Sequence, residues 1–159
     1  MGYYPNMKHE IDGIDRKILR LMQNDASLSV DQLSEQVSMS RNACWRRVKM
    51  LEEAGVIQGK VALLNAQALG LGLHAIVMIR ALAHSAEWTA QFQDAVRYMP
   101  EIMGAYRTTG DLDYVLRVRV SDIVAYDRFY KQLTARVDIA DVSASFVMEE
   151  IKDTTALPI

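Results

Sequence analysis

The stretch Ser38–Gly55, SMSRNACWRRVKMLEEAG, separates into two faces when wound at the helical period. Cys44, Val48 and Leu51 fall at i, i+4 and i+7 and form an apolar stripe. Arg41, Asn42, Trp45, Arg46 and Lys49 fall on the opposite side, and no acid interrupts the run from Arg41 to Lys49. Ser40 is a good N-cap and Gly55 a good C′ residue, so the spacing predicts a helix from just after Ser40 to Glu53 or Ala54. A charged helix face is ordinarily just solvated. A large aromatic set among cations, with no acid before Glu52, calls for a partner. Arg and Lys suit phosphates and guanine edges, Asn suits adenine, and a helix N-terminus directs N–H groups at phosphate. Ser40, Arg41, Asn42, Trp45, Arg46 and Lys49 are therefore the candidate face for double-stranded DNA. Cys44, on the apolar stripe, reads as a packed core thiol.

Working outward, Ile11, Ile14, Ile18 and Leu21 recur at helical spacing and predict a helix from about Asp12 to Gln23. Ser29-Val-Asp-Gln32 is a capping box for a short helix, roughly Val30 to Val37, with Leu28 and Leu33 placed as its hydrophobic staple. A packing helix, a short helix, the tight Ser38-Met39-Ser40 turn and a longer helix make the helix-turn-helix plan. After Gly55, Val56, Ile57, Val61, Leu63 and Leu64 surround Gln58-Gly59-Lys60 and predict a wing or connecting strand. Asn65–Gly72, with two glycines, reads as a hinge. The expected division is residues 1–60 for DNA, 61–72 for the connection and 73–159 for a second domain.

That second domain reads β-α-β-β-α-β. His74–Leu82 is a β-rich run, Ser85 caps a helix with Trp88, Phe92, Val96 and Met99 on one face, and Ile102–Thr108 and Tyr114–Val120 are strands about Thr109–Asp113. Asp122 caps a helix carrying Ile123, Tyr126, Phe129, Tyr130 and Leu133, and Val142–Met148 is the last strand. The fold class is α+β: a winged helix-turn-helix followed by a ferredoxin-like βαββαβ domain, an antiparallel sheet with both helices on one face. Its other face needs a cover, and a second copy of the chain is the simplest one, so a homodimer is expected. Asp111 and Asp113 are open to two readings, an ordinary hairpin turn or a ligand loop.

Composition agrees with this division of labour. The 159 residues are 50% hydrophobic and carry 18 Lys/Arg against 20 Asp/Glu, which excludes a protein coated in positive charge. Residues 1–60 nevertheless hold nine cations and eight acids, a net of +1, against nine and twelve, a net of −3, in residues 61–159. No apolar run is long enough to span a membrane, Met1–Glu10 lacks a signal-peptide core, and the single cysteine makes no internal disulfide, so a cytoplasmic protein is expected, nucleoid-associated on the DNA-binding reading of the basic helix. His9, His74 and His84 have no metal-ligand spacing, and no nucleophile–base pair is legible. No metal or organic cofactor and no catalytic residue is expected. Small βαββαβ enzymes exist, but that reading leaves the basic helix unexplained.

Four blocks together, IDGIDRKILRLMQNDA (11–26), SMSRNACWRRVKMLEEAGVIQG (38–59), MPEIMGAYRTTGDLDYVLRVRV (99–120) and SFVMEEIKDTTALPI (145–159), resemble the Lrp/AsnC, or feast/famine, family of transcriptional regulators. The resemblance implies a winged helix-turn-helix joined to a RAM-type regulatory domain. It also implies dimers that assemble to tetramers or octamers and an amino acid bound at dimer–dimer junctions near the G-D-x-D-Y loop. It makes Tyr106, Thr108, Thr109, Gly110, Asp111 and Asp113 the effector loop, with Ser143 and Ser145 as walls. Lys60, where many members have an aromatic residue, together with LGLGL (69–73) and HSAEW (84–88), is similar to the cysteine-responsive branch. Cysteine is thus the favoured effector and leucine the next. The competing reading is an architectural DNA-wrapping protein that needs no effector.

Overall fold

Each helix begins where the sequence supplies an oxygen to cap it. The structure is a computed structural model that describes residues 10–159; His9 and the rest of the N-terminal stretch read above lie outside the described residues. Helix α1 (Gly13–Asn24) starts at Asp12, whose carboxylate accepts the N–H groups of Ile14 and Asp15 at 2.8 Å, while Asp15 accepts from the Asp12 N–H at 3.1 Å. Helix α2 (Val30–Gln36) carries the expected box, with Gln32 Oε1 accepting from the Ser29 N–H at 2.8 Å. Helix α3 (Arg41–Glu53) is capped by Ser40 Oγ, and Gly55 ends its turn with φ +72°. The turn between α2 and α3 is closed by Ser38 at φ 55°, a left-handed conformation that a non-glycine residue seldom adopts.

The second half contains β1 (Leu73–Ala81), α4 (Ala86–Tyr98), β2 (Ile102–Arg107), β3 (Tyr114–Val120), α5 (Ile123–Arg136) and β4 (Ile139–Phe146). Strand order is β2-β3-β1-β4, antiparallel throughout. The last strand starts at Ile139 rather than Val142 because Ile139 pairs with Ala81 across a register shift. Ala75, Val77, Ile79, Leu116 and Val118 face α4 and α5 and pack with Trp88, Phe92, Phe129 and Leu133. Trp88 stacks on Phe92 at 5.2 Å and donates its indole N–H to the Asp138 carbonyl at 2.6 Å, so a large buried aromatic leaves no polar atom stranded.

Two compact units result. One runs up to Leu63 and takes in Lys152–Ile159; the other is Leu64–Ile151. The first unit's core is Ile18, Met22, Leu33, Val37, Cys44, Val48 and Leu51. One expectation is corrected. Residues 56–64 form no strand, and Val61, Leu63 and Leu64 are exposed, because among the described residues nothing pairs with that backbone. Lys152–Ile159, within the span expected for the second domain, group with the DNA-binding unit.

Candidate functional site

The apolar stripe of α3 is sealed: Cys44 and Leu51 are fully buried and Val48 nearly so, and burial pushes the Cys44 thiol pKa up. The opposite stripe is exposed. Trp45 is 52% exposed, and with Asn42 and Arg46 it lines a shallow depression. Arg41 Nε lies 2.8 Å from Asp31 and Lys49 lies 3.7 Å from Glu53, pairs exposed on both sides that water can exchange for phosphate. Ser40 is spent on the cap, with its Oγ 3.3 Å from the Ala43 N–H.

The four cations of the run do not share one role. Arg47 turns inward, its Nη1 lying 2.8 Å from Asp12 and 2.7 Å from Asp15, whose side chain is 0% exposed. It ties α3 to α1. The backbone N–H of Asp15 first, and then Arg47, hold the Asp12 carboxyl below the usual aspartate range, and the Asp15 and Asp12 carboxylates raise Arg47 in turn. Among the described residues Arg46 makes no ion pair. Helical spacing already separated the neighbours, since Arg47 falls outside the polar stripe. Its partners, more than thirty positions earlier, were not legible.

The loop between β2 and β3 is shaped by its own polar groups. Thr108 donates its N–H to the Asp113 carbonyl at 2.9 Å and its hydroxyl to the Leu112 carbonyl at 2.7 Å, and Gly110 takes φ +120°. Asp113 is committed to the fold. Its N–H reaches the Ile79 carbonyl at 2.9 Å, its Oδ2 accepts the Ala81 N–H at 2.8 Å, and its Oδ1 lies 3.7 Å from His84. Thr109, Gly110 and Asp111 are exposed at the tip. Tyr106, half-exposed, folds over Gly104, where a Cβ would meet its hydroxyl at 2.9 Å.

Ser143 and Ser145 lie elsewhere on this domain. Cross-strand pairing sets Tyr106, Val115, Met78 and Ser143 in one row, and Gly104, Arg117, Ile76 and Ser145 in the next, all on the face away from the helices. Three strand spacings, roughly 14 Å, separate Tyr106 from Ser143. One copy of the chain therefore brings Tyr106, Thr108, Thr109, Gly110, Asp111 and Asp113 together but leaves the serines at the opposite edge. The same face carries His74 and Arg119, both held by Glu150, and the hydrogen bond from His74 leads in lowering the Glu150 pKa.

A helix-turn-helix unit with an exposed aromatic and cationic helix, followed by an antiparallel sheet domain with a polar loop, defines a DNA-binding regulator. Residues 11–58 match the winged helix-turn-helix DNA-binding family, and residues 74–157 match the Lrp/AsnC ligand binding domain. The chain belongs to the Lrp/AsnC family of DNA-binding transcriptional regulators, whose second domain is a ligand binding domain. It is 48% identical over 150 residues to the DNA-binding transcriptional activator DecR of Escherichia coli, covering 94% of this chain and 99% of that protein. It is 46% identical over 153 residues to the glutamate uptake regulatory protein of Zymomonas mobilis, covering 96% and 93%. The fold matches that of a transcriptional regulator from Neisseria meningitidis solved in complex with L-Met, with TM-score 0.90 and 35% identity over 94% of this chain and 97% of that one. Among the described residues no helix is long and apolar enough to cross a membrane, and no cluster of His, Cys, Asp and Glu could hold a metal ion.

Proposed function

We propose that the chain controls transcription in the cytoplasm by placing the exposed face of α3 in the DNA major groove, and that an amino acid bound at the Tyr106–Asp113 loop changes that engagement. The observation that carries this reading is the split between the adjacent arginines: Arg47 is locked to α1, leaving Arg46 presented beside Trp45 and Asn42. Arg41, Arg46 and Lys49 would meet phosphates and guanine edges, Asn42 a base edge, and the Ser40-capped end a phosphate. At the loop, Asp111 would hold the effector's ammonium, while the Thr109 hydroxyl and tip N–H groups would hold its carboxylate. Asp113, engaged with Ala81, would shape the loop and not touch the ligand.

Two copies would pair through the uncovered sheet face, and dimers would associate further so that Ser143 and Ser145 of one copy approach the loop of another. Of two relatives of near-equal identity, one is named for glutamate uptake and the other's name specifies no metabolite, so overall similarity does not select the effector. We keep cysteine first and leucine second, with methionine added because of the L-Met complex of the Neisseria relative. The test is a thermal-shift panel against the twenty amino acids under reducing conditions. A ligand at about a hundred times its Kd adds about 2.7 kcal/mol to the native state. A selective rise with cysteine supports this assignment; a rise with another amino acid replaces it. No rise with any amino acid, alongside intact DNA binding, favours the architectural reading.

A further inference from the structure

The last residues of the chain do not stay with the domain they follow. Lys152–Ile159 belong to the DNA-binding unit, where they lie along α1. The contact is specific in its chemistry. The Gln23 carboxamide donates to the Leu157 carbonyl at 2.9 Å and accepts the Leu157 N–H at 3.0 Å, so a single side chain satisfies both backbone groups of one residue. One turn earlier, Arg20 Nε donates to the Ile159 backbone oxygen. Thr155, Leu157 and Ile159, every second residue of the tail, line a cavity of about 540 Å³ whose other walls include Leu19, Met22 and Ile57. Gln23 pairs with backbone as one β-strand pairs with another, while the apolar wall accepts alternate side chains. This surface lies outside the α3 face and outside the effector loop.

We propose that the Arg20–Gln23 face of α1 is an interaction surface whose partner is the chain's own Thr155–Ile159 segment, and that this clasp couples the ligand-binding domain to DNA binding. The chain passes from the DNA-binding unit to the sheet domain through the connection after Leu63, and it returns at Lys152. The returning segment follows β4, the strand that carries Ser143 and Ser145, after residues 147–151, where Val147 donates its N–H to the His74 carbonyl at 2.9 Å and Glu150 is held by His74 and Arg119. The chain thus crosses between the units twice, and the second crossing follows, through residues 147–151, the strand that carries the proposed ligand wall. A ligand that shifts β4 would change the energy of the clasp, which is the differential interaction a population shift requires. The coupling half rests on the amino-acid reading above; the clasp half does not.

The experiment uses the full chain, Gln23→Ala, and a chain ending at Thr154. Hydrogen exchange at the Leu157 amide reads the clasp, and DNA titrations with and without the amino acid found by thermal shift read the coupling. The expected result is Leu157 exchange about tenfold slower in the full chain than in Gln23→Ala. Both altered chains should bind DNA within about twofold of the full chain and lose most of the ligand-induced change in affinity. Leu157 exchange as fast in the full chain as in Gln23→Ala overturns the clasp. A protected Leu157 with an undiminished ligand response in both altered chains overturns the coupling. A full chain that answers to no amino acid fails the functional reading and the coupling together, while the exchange ratio still decides the clasp.

Discussion

The exposed face of α3 and the Tyr106–Asp113 loop treat their charged side chains in opposite ways. On α3 a regular helix carries the functional groups, and its structural work is delegated to a cap (Ser40), a core stripe and one arginine, Arg47, leaving Arg46 and Trp45 to solvent. In the loop no regular structure exists to do that work, so polar groups that look fit for a ligand hold the loop itself. Asp113 accepts the Ala81 N–H, and Thr108 closes on Leu112. Thr109, Gly110 and Asp111 stay exposed at the tip. A charged residue on a helix can be spare; one in a tight loop is often already employed.

The sharpest way to break this contrast is at the adjacent arginines. Replacing Arg47 by Met keeps the side-chain stem but removes the guanidinium 2.7 Å from the fully buried Asp15, and removing one partner of such a pair is expected to destabilise the helix-turn-helix unit by about 3 kcal/mol. Arg46→Ala should stay within about 0.5 kcal/mol of wild type, as surface substitutions do. Urea titrations of both decide it: equal midpoints would mean that the inward and outward roles are misassigned.

A second comparison lies inside the loop. Asp113→Ala strands the Ala81 N–H and should cost about 1–2 kcal/mol. Asp111→Ala should leave stability unchanged while abolishing the amino-acid response. Calorimetry separates the two carboxylates, and a response that survives Asp111→Ala moves the ammonium site elsewhere.

On the DNA side, Arg46→Ala should lower affinity by about 1 kcal/mol and reduce the salt slope of binding by about one. Fluorescence anisotropy at several salt concentrations measures both, and an unchanged slope removes Arg46 from the phosphate contacts.

The smallest expected effect is on pH. Asp12 has its pKa lowered in the folded state, chiefly by the Asp15 N–H, and Ser27 lowers Asp25 in the same unit. A carboxylate that titrates lower when folded contributes fully above its unfolded value and loses that contribution as pH falls through the folded one. The melting temperature should therefore show no loss from these groups at neutral pH and decline from about pH 4 downward, where an unperturbed aspartate begins to protonate. Asp12→Asn should make that decline shallower.

Much of the architecture was legible because it is local. Caps at Ser29, Ser40, Ser85 and Asp122 sit within four residues of the groups they satisfy, and helical or alternating periodicity identified the faces that became the two cores. The start of β4 was read three residues late because it depends on a pairing with Ala81, a partner nearly sixty positions away. The wing or connecting strand expected over 56–64 had the right composition, but an extended segment is held only by a neighbour, and none is present among the described residues. On the candidate sites, the polar stripe of α3 followed from spacing alone, whereas the loop residues came from family resemblance.

The sequence by itself determined the five helices α1–α5, the burial of Cys44, Val48 and Leu51, and which face of α3 meets solvent, since each follows from interactions within a few residues along one helix. Only the tertiary structure decided that Arg47 locks α3 to α1, that Asp113 belongs to the fold, that Ser143 stands three strands from Tyr106, and that the tail returns to Gln23. Those outcomes depend on which distant groups meet. Charge and hydrogen-bonding capacity can be read residue by residue, but the partner that uses them is chosen when the chain closes on itself.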